Sequence, residues 1–137
     1  MSYMLSVILE SGAVAVAGIA IAFVVHQRRL GKHRGVAREA FIGAFTDSAI
    51  PAEIASAVYD YYKRRAISKE FSVAPEDDYA GVLSEGDEDI DDDARFLIKR
   101  LGLKLPPNYA MARSEMPIRT LRDMVVWLHW VQQHQGV

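Results

Sequence analysis

Ten acids and no base fall between residues 76 and 93, and the densest stretch, Gly86-Asp-Glu-Asp-Ile-Asp-Asp-Asp93, is the place where this chain could hold a cation or attract one. Asp87, Asp89 and Asp91 match positions 1, 3 and 5 of an EF-hand calcium loop. Position 6, where the turn demands glycine, is Asp92, and position 12, where a bidentate glutamate belongs, is Ile98. The pattern fails where calcium geometry is most demanding. The run reads instead as an acid-rich helix start favoured by the helix dipole, and as a docking face for a basic protein partner. Asp87, Glu88, Asp89, Asp91, Asp92 and Asp93 are assigned to that face.

The remaining chemistry-bearing residues form no second constellation. His26, His33, His129 and His134 lack the spacing of a zinc motif, and the chain has no cysteine. Neither a nucleophile elbow nor a phosphate-binding glycine loop is present. The expectation is a non-enzymatic protein without cofactor or metal. Tyr59, Tyr61, Tyr62, Trp127 and Trp130 could stack nucleic-acid bases, but at helical spacing they read as core, and the domain lacks a broad basic surface.

The elements that position the acidic run begin with a membrane anchor. Met4–Val25 is a 22-residue stretch whose one charged side chain is Glu10, and His26-Gln-Arg-Arg-Leu-Gly-Lys-His-Arg34 follows it directly. About 20 apolar residues in a helix cross a bilayer. Arg28, Arg29, Lys32 and Arg34 then meet anionic headgroups on the cytoplasmic side, which places residues 26–137 in the cytoplasm behind a single span of the cell inner membrane. A cleaved signal peptide competes, since Ala13-Val-Ala15 and Ala15-Val-Ala17 suit a peptidase, but the basic cluster lies on the wrong side for one. Ala13/Ala17 and Gly18/Ala22 allow close packing of two spans, hence a homo-oligomer through the membrane.

The cytoplasmic part reads as all-α. Val36–Phe45 has apolar residues at helical spacing and could continue from the membrane helix. Pro51 opens a helix with Ile54, Val58 and Tyr61 on one face, and Lys63-Arg-Arg65 ends it. Residues 67–90 form a long loop whose Phe71, Val73, Tyr79, Val82 and Leu83 are spaced as anchors to a core. A helix near Asp91–Leu101 carries Ala94, Leu97, Ile98 and Leu101 inward, and Gly102 sits where a helix terminator belongs. Residues 108–117 read as irregular or a short turn. Thr120 caps a last helix, with Asp123 three residues on and Leu121, Met124, Val125 and Leu128 facing inward. The expected division is 1–25 span, 26–50 basic collar and connecting helix, and 51–137 bundle.

From Pro51 onward the order of elements resembles acyl carrier proteins. Phe71-Ser-Val73 with Glu76-Asp-Asp78 is similar to that family's stretch after its first helix, and Thr120-Leu-Arg-Asp123 to the motif opening its last helix. The resemblance implies a small four-helix bundle with an acidic recognition helix. It also implies a departure. Aligning Ile90 with the family's leucine puts Asp89 at the position of the phosphopantetheine serine, and a carboxylate cannot accept that group. Ser84 lies five residues too early. The chain thus resembles serine-less, poorly characterised acyl-carrier-like proteins of bacteria, with the acidic face kept for docking. A genuine carrier with a displaced serine, or a structural subunit of a membrane complex, are the alternatives.

Overall fold

The computed structural model describes residues 35–65 and 72–135, together with Ile19 and Ile21. The expected span at 4–25, apart from those two isoleucines, lies outside the described residues, as do Arg28, Arg29, Lys32, Arg34 and Phe71. Among the described residues no helix is long and apolar enough to cross a membrane.

Five α-helices make up the described part: α1 Arg38–Gly43, α2 Ala52–Arg65, α3 Asp87–Arg100, α4 Tyr109–Glu115 and α5 Leu121–Gln133, with a 3-10 turn at Thr46–Ser48. The fold is all-α, and its only extended pairing among these residues is a single bridge between Asp78 and Thr120. α5 is the central element. Leu121, Met124, Val125, Trp127, Leu128 and Val131 are all buried, and the helix packs on both α2 and α3. Its start follows from its sequence: Thr120 Oγ1 accepts from the Asp123 N–H at 3.2 Å, and the Asp123 carboxylate accepts from the Thr120 N–H at 3.1 Å. These bonds satisfy donors that a helix start otherwise leaves orphaned.

Several expected boundaries shift. α1 does not continue from an upstream helix, because Ala37 is extended at φ −65° and ψ 156° and the Val36 N–H donates to Val73 O. Gly35 lies so close to Ser72 that a Cβ there would collide with it. Phe41 and Phe45 are fully buried against the same core, so the bundle begins near Val36 rather than at Pro51. Residues 109–115 are helical. On α2 the buried tyrosines are Tyr59 and Tyr62, and Tyr61 lies at the edge of the face.

α3 starts at Asp87, four residues before the expected point. Its end obeys its chemistry: Gly102 takes φ +70°, its N–H donates to Lys99 O, and the Leu103 N–H donates to Ile98 O. This pair of bonds is a Schellman terminator, which needs the left-handed residue that glycine supplies. The segment before α3 is a loop strapped to the start of α5. The Tyr79 N–H donates to Arg119 O, the Leu121 N–H to Asp77 O and the Arg122 N–H to Pro75 O. Val73, Tyr79 and Val82 are buried, so the loop carries core residues as its apolar spacing implies.

Candidate docking site

The acidic run divides into an internal and an external set. A helix turns 100° per residue, so consecutive acids cannot share one face. Asp93 points inward and is 3% exposed. One carboxylate oxygen accepts from the Tyr61 hydroxyl at 2.5 Å and from Arg65 at 2.6 Å, and the other accepts from the Tyr62 hydroxyl at 2.9 Å. The Tyr62 hydroxyl is also 2.7 Å from that of Tyr79. A buried charge with this many donors is compensated, and it locks α3 to α2 and to the loop. Asp93 is therefore not part of a docking surface, contrary to the sequence expectation.

Glu85 adds a second carboxyl to this cluster, 3.3 Å from Arg65. Burial, reinforced by the neighbouring Asp93, pushes the Glu85 carboxyl up to about 8, and Arg65 opposes the rise. Burial and the Asp93 carboxylate also raise Tyr61 and Tyr62 above the usual phenol range. Glu85 Oε2 is buried without a hydrogen-bond partner among the described residues, which adds to the cost of charging this carboxyl.

Asp91 is half-buried and occupied as well. It accepts from Tyr109 at 2.6 Å and from Arg95 at 2.9 Å, with Arg113 at 3.9 Å. Burial disfavours its charge, but the Tyr109 and Arg95 bonds outweigh this and hold its pKa below the usual carboxylate range. These bonds tie α3 to α4. Of the assigned docking set, Asp93 is thus internal, and Asp91, about a third exposed, is bonded within the fold.

Asp87, Glu88, Asp89 and Asp92 are exposed. Asp89, at the carrier-serine position, sits in the first turn and accepts from the Gly86 N–H at 3.4 Å. Residues 87–98 are helical, so the EF-hand register at Asp87, Asp89 and Asp91 does not form as a loop. Ser84 is exposed at φ +52°, two residues before the Gly86 cap, and its hydroxyl donates to Gly81 O.

Two features beside the acids escape the charge pattern. Phe96 is 51% exposed on the same helix, its ring 5.1 Å from that of Tyr61. It lies off the Ala94, Leu97, Ile98 stripe, and that offset is visible in the sequence. Next to it, α2 and α3 flank a groove of about 460 Å³ lined by Ala57, Tyr61, Arg64, Phe96, Arg100 and Leu101, among others. The acids in its wall are committed elsewhere, Asp60 to Arg38 at 3.0 Å and Glu53 to Gln132 at 3.2 Å. Arg64 and Arg100 have no side-chain hydrogen bond or salt bridge within the described residues. No family model, no curated protein and no solved structure matches this chain.

Proposed function

We propose that the chain is a single-span, membrane-anchored, non-enzymatic docking module of acyl-carrier-like design, with its helical bundle in the cytoplasm. One observation carries this reading. The acidic run is sorted so that Asp91 and Asp93 are bonded within the fold while Asp87, Glu88, Asp89 and Asp92 stay exposed, Asp92 about one helical turn from the exposed ring of Phe96. Charges left uncommitted next to an exposed aromatic suit a partner with basic and apolar groups. The anchor is supported by the 4–25 stretch, 22 residues whose one charged side chain is Glu10. Its orientation rests on the one-sided Arg28–Arg34 cluster.

The test is a gentle-detergent pull-down of the full chain from native membranes, with mass spectrometry of the partners and of the chain itself. Salt-sensitive capture of a basic protein supports docking; a reporter after Val137 that is active only outside the cytoplasm overturns the topology. The carrier reading has one observation in its favour, the exposed Ser84 hydroxyl close to the start of α3. A mass gain matching phosphopantetheine after incubation with its transferase would establish it in place of the docking reading.

A further inference from the structure

The exposed face of α3 is ordered by charge along its length. Glu88 and Asp92 come first, Phe96 follows, and Lys99 and Arg100 close the helix, all exposed. At 100° per residue they fall within an arc of about 120°, opposite the buried Ile90, Ala94, Leu97 and Ile98. Within the described residues none of the four charged side chains is engaged in a salt bridge or side-chain hydrogen bond. The stripe therefore reads acid, acid, apolar, base, base.

Such a stripe is complementary to its own reverse. Asp92 and Arg100 each lie four residues from Phe96, about 6 Å along the axis. A two-fold axis through Phe96 sets Asp92 of each copy against Arg100 of the other and brings the two rings together. An isologous interface demands this self-complementarity, because each contact must occur twice. Arg64, on the far wall of the groove beside Phe96 and Arg100, adds a further unpaired base where the acids of a second copy arrive.

We infer that the partner of this face is a second copy of the same chain, docked antiparallel along α3 around Phe96. The inference rests on the docking reading above and names its partner. One helix face is small for a stable interface, so affinity is modest, and confinement by a shared membrane raises the effective concentration.

Because the chain has no cysteine, Phe96→Cys introduces its sole thiol. A short bis-maleimide should link two full-length Phe96→Cys chains in membranes. Met111→Cys, at a position 62% exposed on α4, should link poorly. With Phe96 intact, sedimentation of the full chain in mild detergent should show dimerisation weakened about ten-fold by Asp92→Arg or by Arg100→Asp, since each sets like charges together. The double variant should recover most of the loss. Equal linking at 96 and 111, or a double variant no better than the singles, overturns the inference. A dimer indifferent to every swap overturns it too, because the span alone then holds the copies. Salt-sensitive capture of a different basic protein, alongside any of these failures, leaves the docking reading standing; its loss as well takes both down.

Discussion

The Tyr62 hydroxyl of α2 donates to the Asp93 carboxylate of α3 across 2.9 Å, in the interior of the bundle. With Tyr61 and Arg65 on the same carboxylate, this bond makes one acid of the acidic run a structural centre. Asp93→Ala removes the buried acceptor of the Tyr61 and Tyr62 hydroxyls and should destabilise the fold by about 1–3 kcal/mol, the range for leaving buried donors unpaired, since Arg65 is half-exposed and keeps Glu85 beside it. Denaturant unfolding of the full chain measures it. A cost near that of a surface change, under about 0.5 kcal/mol, would mean the cluster is not formed.

Glu85 makes stability depend on pH in a defined direction. Its carboxyl is raised from an ordinary 4.5 to about 8 in the folded state. Between these values the native state binds the proton and the unfolded state does not, so stability falls as pH rises. The contribution is complete below about 4.5 and lost as pH climbs through about 8. The denaturation midpoint should therefore drop between pH 6 and pH 9, and Glu85→Gln should flatten that slope and exceed wild type at the alkaline end. A wild-type midpoint that rises over the same interval would contradict the assignment.

Much of the helical fold is legible in the sequence where local rules and burial agree. Thr120 and Asp123 cap α5 because their chemistry leaves little alternative, and Leu121, Met124, Val125 and Leu128 bury because their spacing matches one turn. The site is less legible. An aspartate in an acidic run carries no mark of whether three donors will surround it, and those of Asp93 come from residues 61, 62 and 65, about thirty positions away. The start of α3 was obscured for a related reason: acids favour both a solvated loop and a helix N-terminus, and only the burial of Ile90 and Asp93 separates them.

Leu128 tests the packing of α5. Its side chain is fully buried. Leu128→Ala should cost about 2–5 kcal/mol through lost contacts and a residual cavity. Thr120→Ala should cost less, about 0.5–2 kcal/mol, since it removes a cap and no core. Equal losses at the two positions would be inconsistent with this division.

A fragment spanning Gly35–Gln135 should fold alone, because the core formed by the described residues, from Phe41 to Val131, lies within it. It should be helical by circular dichroism and melt in one cooperative transition. A gradual, non-cooperative melt would show that the preceding segment or a partner completes the core.

The central claim is that the exposed acids dock and the internal ones hold the fold. The direct measurement is partner capture, the same chain included, by the full-length protein and by its Asp87→Asn, Glu88→Gln, Asp92→Asn triple variant, at low and raised salt. The triple variant should keep the wild-type melting profile, since these groups lie in solvent, and should lose most of its capture. Raised salt should weaken wild-type capture in the same way, because exposed charges are screened over about 8–10 Å near physiological ionic strength. Undiminished, salt-insensitive capture by a folded triple variant would contradict the claim.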